Sequence, residues 1–178
     1  MFDKNLFKNR YKINSTRLKH WDYSNDGYYF VTICTKDRIN YFGQIKNDEM
    51  ILNKYGEIIK RCWQKIPNHF LNTKLDEYIV MPNHIHGIII INNHKCRDVA
   101  CNVSTMAKIS PKSNSLSTIV RSFKSACAKR IHEYDLAFAW QARFYDRIIR
   151  NERELYNVRK YIKNNPQKWG LDRNNLEK

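Results

Sequence analysis

Leu75-Asp76-Glu77-Tyr78-Ile79-Val80-Met81-Pro82-Asn83-His84-Ile85-His86-Gly87-Ile88-Ile89-Ile90-Ile91 is the stretch from which the fold is read. Leu75 to Met81 and His84 to Ile91 are apolar, β-branched runs separated only by Pro82-Asn83. They form strands at the sheet centre, paired as an antiparallel hairpin or continued through a bend. Upstream, Tyr28 to Thr35 is dense in aromatic and β-branched residues, follows the Asp26-Gly27 turn signal and predicts another strand. Tyr41 to Ile45 and Met50 to Leu52 flank the turn-like Lys46-Asn47-Asp48-Glu49 and predict a small hairpin. Asn53 is placed to cap a helix running to about Ile66 and ended by Pro67. Downstream, Leu116, Ile119, Val120, Phe123, Cys127 and Ile131 follow helical spacing, with Arg121 and Lys129 turned outward. Phe144 to Ile149 is a short strand. Asn151 with Glu154 resembles a capping box for a last helix that stops near Asn165, because Pro166 follows. The order β-α-β-β-α-β plus a final helix suits an α+β, ferredoxin-like fold: an antiparallel sheet with helices on one face and a C-terminal helix after the last strand.

The 178 residues make one domain, read as a basic N-terminal arm over 1–26, a single folded domain over 27–170 and a polar tail over 171–178. Apolar residues at 42% and aromatics at 13% exclude disordered and collagen-like classes. The longest apolar run, Gly87 to Ile91, is far too short for a membrane span, and the first residues carry no hydrophobic signal core. A cytoplasmic protein is therefore expected. Five scattered cysteines fit reduced thiols rather than a disulfide framework.

Thirty-two Lys and Arg against seventeen Asp and Glu leave a formal charge of +15, whose commonest physical use is attracting a polyanion. The excess is localised. Residues 1–20 carry six basic side chains and one acid, and residues 99–132 carry six basic side chains and no acid. Nucleic acid is the leading partner.

His84 and His86 alternate with Ile85 on a strand, so both imidazoles reach one point in space. Two neutral imidazoles supply two ligands to a divalent ion and leave positions open for substrate oxygens, although two core or cross-strand histidines would share the spacing. On the last helix, Leu155, Val158 and Ile162 form the apolar stripe, with Tyr161 and Asn165 along one edge of it. Tyr161 can serve as a nucleophile and the Asn165 amide oxygen as a third metal ligand. The alternative is that Tyr161 packs and Asn165 simply ends the helix. Tyr145 and Tyr156 do not share that edge, Tyr156 projecting about 140° away from Tyr161.

Three blocks stand in order: Val80-Met81-Pro82-Asn83-His84-Ile85-His86-Gly87, Trp140-Gln141 with Phe144-Tyr145-Asp146, and Tyr161-Ile162-Lys163-Asn164-Asn165-Pro166. Together they resemble the single-tyrosine HUH transposases, and within them the REP-associated branch. The resemblance runs over most of the chain. It implies a ferredoxin-like HUH endonuclease core acting on single-stranded or hairpin DNA at palindromic repeats, with His84 and His86 as the metal pair, Mg²⁺ or Mn²⁺ as cofactor and Tyr161 as nucleophile. In the insertion-sequence branch a glutamine stands four residues after the tyrosine; Asn165 is one methylene shorter and followed by proline, as in the REP-associated branch.

Arg121, Lys124, Lys129 and Arg143, with Gln141, are the candidate DNA-binding residues, and a monomer or homodimer with no membrane partner is expected. Two readings compete. A non-catalytic single-stranded RNA- or DNA-binding module would use Tyr28, Tyr29 and Phe30 as a stacking platform. A structural zinc site would use His94, Cys96 and Cys101.

Overall fold

The structure, a computed structural model, describes Leu18, residues 20–93 and residues 114–176. Most of the basic arm and the whole of the zinc candidate His94, Cys96 and Cys101 lie outside the described residues. In chain order the elements are β1 (Gly27–Cys34), β2 (Gly43–Lys46), β3 (Glu49–Leu52), α1 (Lys54–Gln64), α2 (Ile66–His69), β4 (Thr73–Met81), β5 (His84–Ile91), α3 (Leu116–Ile131), β6 (Tyr145–Ile149) and α4 (Glu152–Lys163). The main sheet has the order β4-β5-β1-β6 with every neighbour antiparallel, which is the ferredoxin-like arrangement; β2 and β3 form a separate hairpin.

The pleat divides the sheet into two faces with different chemistry. Ile85, Ile89 and Ile91 of β5, with Tyr29, Val31 and Ile33 of β1, bury against α1 and α3 through Ile59, Trp63, Ile119, Val120 and Phe123. Phe30, Ile88 and Ile149 point the other way and meet Leu155 and Ile162 of α4. The two crossover helices thus share one face, and the added C-terminal helix lies across the other. Of the two strands expected at the sheet centre only β5 is central; β4 is an edge strand, and ion pairs hold α4 to it. Arg159 grips the Asp76 carboxylate through Nε at 3.0 Å and Nη2 at 2.5 Å, and Lys163 Nζ lies 2.9 Å from Glu77. Arg159 holds the Asp76 carboxyl below its usual range.

Local signals fix the element ends. Asn53 Oδ1 accepts from the amides of Tyr55 and Gly56 at the start of α1, and Ser115 and Asn151 cap α3 and α4 in the same way. Glu154 reaches back to the Arg150 amide at 2.9 Å rather than to the cap residue itself. Pro67 does not end α1. The helix stops at Gln64, and Pro67 sits in the first turn of the separate helix α2, where its missing N–H costs nothing. Pro166 likewise opens a 3-10 segment, Pro166–Leu171, that turns the chain back under the sheet.

Gly87 lies where β5 passes beneath α1, and a Cβ there would stand 2.3 Å from Cζ2 of the buried Trp63 ring. Gly87→Ala is therefore expected to lower stability by about 1–3 kcal/mol, as overpacking does, read as a fall in the urea midpoint with an unchanged m value.

Candidate functional site

The β1–β5 register sets Thr32 opposite His86 and Cys34 opposite His84, so both imidazoles project from the face that α4 covers. They are nearly inaccessible, at 0% and 2% exposure. Phe30 stacks on His86 at 5.4 Å between centroids, and Trp169, from the 3-10 segment, tilts over His84 at 6.0 Å. Burial, seconded by Arg38 and Arg173, drives the His84 pKa down to about 3, and burial holds His86 well below its ordinary value. Both rings are thus neutral at pH 7, as metal ligands must be.

Their hydrogen bonds fix how they point. Asn83 Nδ2 donates to the carbonyls of Arg38 at 2.9 Å and Asn174 at 2.8 Å, which leaves Asn83 Oδ1 to accept from His84 Nδ1 at 2.8 Å. His84 Nε2 is therefore a bare acceptor. The Thr32 hydroxyl lies 2.8 Å from His86 Nδ1, and His86 Nε2 stands only 2.9 Å from His84 Nε2. Two ligands about 2.1 Å from one ion at a right angle would be about 3.0 Å apart.

Asp172 completes a group of three, its carboxylate and the two imidazoles offering ligand atoms within 4.8 Å of one another. Asn165, buried just past the end of α4, directs Nδ2 toward Asp172 Oδ2 at 3.4 Å, while its Oδ1 has no hydrogen-bond partner. Two imidazoles, a carboxylate and an orphaned amide oxygen form a mixed nitrogen and oxygen set able to hold a divalent cation. Tyr161 borders this group. Its hydroxyl is 3.2 Å from His86 Nε2, and the residue is 46% exposed, at the wall of an open groove of about 630 Å³. Burial, then the Asp172 charge, raises the phenol pKa, and a hydrogen bond from Asn165 opposes them.

The structure thus brings together His84, His86, Tyr161 and Asn165. The nucleic-acid candidates lie elsewhere. Arg121 and Lys129 are exposed on α3, behind the sheet from Tyr161. Lys124 is no free phosphate contact, because its Nζ donates to the carbonyls of Gln141 at 2.6 Å and Arg143 at 3.0 Å and supports that turn from within. Gln141 lines a separate groove with Lys36 and Arg38, and Arg143 is exposed beside it. Of the stacking platform in the competing binding-module reading, Tyr29 is wholly buried, Phe30 nearly so and Tyr28 half-buried.

Sequence reasoning missed Asp172, Asn83 and Thr32. Asp172 falls in the segment read as a polar tail, from which Asp172 and Asn174 are both buried here. One signal existed: Asp172 is the only acid between residues 155 and 176.

No family model matches the chain. An uncharacterized protein of Haemophilus influenzae is 39% identical over 165 residues, covering 89% of this chain and 90% of that protein. This chain belongs to that protein's family. Among solved structures, the family's fold is similar to that of a REP-associated tyrosine transposase bound to a REP hairpin. The TM-score is 0.57 at 18% identity, over 90% of this chain and 76% of that one. The family member described here thus has the transposase's fold, and no helix among its described residues is long and apolar enough to cross a membrane.

The histidines make the metal-free protein acid-sensitive. His84 titrates near 3 when folded and about 6.5 when unfolded, so below about pH 6.5 the unfolded chain binds more protons. Stability should fall with pH there by about 1.4 kcal/mol per unit per histidine, and be unaffected above it. Urea unfolding in EDTA between about pH 7 and about pH 5 checks this, with His84→Gln expected to remove about half of the dependence.

Proposed function

We propose that this protein is a transposase-like, single-tyrosine endonuclease and strand transferase acting on single-stranded or hairpin DNA. The observation that carries the reading is the Tyr161 hydroxyl 3.2 Å from Nε2 of a buried imidazole pair. The fold likeness to a transposase bound to a REP hairpin supports hairpin DNA, including palindromic repeats, as the partner.

His84, His86 and Asn165, joined by Asp172, would hold Mg²⁺ or Mn²⁺, which supplies charge neutralisation at the phosphoryl oxygens. Tyr161 Oη attacks the scissile phosphorus. The Oη–P bond forms, the P–O3′ bond breaks, and the leaving 3′ oxygen takes up a proton, giving a 5′-phosphotyrosine and a free 3′-hydroxyl. Because the phosphodiester is exchanged rather than hydrolysed, the 3′-hydroxyl of the same or another strand reverses the step without a nucleotide cofactor. The raised phenol pKa keeps Tyr161 protonated before DNA arrives, and the Asn165 contact favours the phenolate as the proton leaves. Phe30 braces the reacting ring, its plane perpendicular to that of Tyr161 at 6.0 Å. Asn83 and Thr32 act as positioning residues that fix the imidazoles.

Tyr161→Phe removes one oxygen and almost no packing volume, so it should abolish the covalent protein–DNA adduct while leaving the melting temperature and DNA affinity unchanged. Tyr145→Phe and Tyr156→Phe should retain the adduct. His84→Ala with His86→Ala should lose Mn²⁺ binding and cleavage together. An adduct that mass spectrometry places on another residue would falsify the assignment.

A further inference from the structure

The β1–β6 register sets Tyr145 opposite Thr32 and Arg147 opposite Phe30, so both side chains project onto the face that carries Tyr161. Tyr145, at 37% exposure, lines the same groove as Tyr161, and the Arg173 guanidinium stands 5.7 Å from the centre of its ring. This groove shares Arg147, Glu154 and Asn157 with a second open groove of about 730 Å³, which continues past Arg150 and Arg153. Opposing these arginines are Glu154, already engaged by Arg147 and by the Arg150 amide, and the buried Asp146. The joined channel therefore presents three exposed guanidinium groups in succession and one exposed aromatic ring beside the candidate nucleophile. A solvated nucleic-acid strand needs that combination: charge for its phosphates and a π-face for a base.

We propose that a DNA single strand runs through this channel, one base stacking on Tyr145 under Arg173 and its phosphates passing Arg147, Arg150 and Arg153. On this assignment β6 and α4, and not the basic face of α3, form the surface that tracks DNA. The assignment rests on the function proposed above and adds the path of the substrate.

The test measures the affinity of a fluorescein-labelled, mixed-sequence DNA single strand as salt is varied, in a Tyr161→Phe background so that covalent chemistry does not enter. Replacing Arg150 and Arg153 together by glutamine should shrink the slope of log K against log salt by about 1.4, at about 0.7 per lost phosphate contact. Replacing both by lysine should preserve the slope. Tyr145→Ala should weaken binding by about tenfold and Tyr145→Phe should not, since the ring and not the hydroxyl stacks. Replacing Arg121 and Lys129 by glutamine removes the same charge from α3 and should leave the slope unchanged. The proposal is overturned if the α3 pair carries the loss, or if the Arg150 and Arg153 pair moves affinity by less than about twofold. A separate adduct assay with Tyr161 intact keeps the two readings apart: absence of an adduct overturns the role of Tyr161, whereas the affinity comparison alone decides the path.

Discussion

The antiparallel pairing of β1 with β5 is the constraint on which the site depends. With a side-chain period of two, a one-residue slip of β5 would carry His84 and His86 into the α1 and α3 core and turn Ile85 and Ile89 toward α4. Trp63 against Gly87 guards one face of that register, and Thr32 bonded to His86 guards the other. The same pairing then places Tyr145 and Arg147 beside the imidazoles through β6.

Burying two imidazoles, an amide and a carboxylate in one small volume is unfavourable unless each polar atom finds a partner. Most do. Asn83 is anchored by two backbone carbonyls, Asp172 accepts from the Asn174 amide at 2.6 Å, and the Asn165 amide faces Asp172. The Asn165 carbonyl oxygen is left over, and it lies in the same cluster as the two imidazole Nε2 atoms, whose contacts are each other and the Tyr161 hydroxyl. A polar cluster with its deficit in one place is organised for a ligand rather than for packing.

The charge of the chain divides by location in the same way. Arg121 and Lys129 on α3 face solvent behind the sheet, while Lys124 on the same helix donates to backbone carbonyls. Arg147 on β6 and Arg173 after the 3-10 segment border the groove of Tyr161, and Arg153 on α4 borders the groove that continues it. Linear clustering of Lys and Arg reports how much charge a segment holds and says nothing of which side of a sheet it occupies.

The sequence by itself determined the strands, the three long helices and their order, because their signals are local: alternation in His84-Ile85-His86, helical spacing from Leu116 to Ile131, and Asn caps before α1 and α4. It also determined that the two histidines share a face, which follows from the strand period alone; Asn165, expected on the same helix edge as Tyr161, instead lies past the end of α4 at the start of the 3-10 turn. Only the tertiary structure decided that Asp172 and Asn83 join them, that Tyr29 and Phe30 are buried, and that the basic helix α3 lies on the far side. Those facts rest on contacts between segments distant in sequence: Asn83 Nδ2 to the Asn174 carbonyl across 91 residues, and Tyr161 to His86 across 75. No period or cap signal within one segment encodes such a contact; it exists only once the sheet has set its two faces and the 3-10 turn after Pro166 has brought the chain back beneath them.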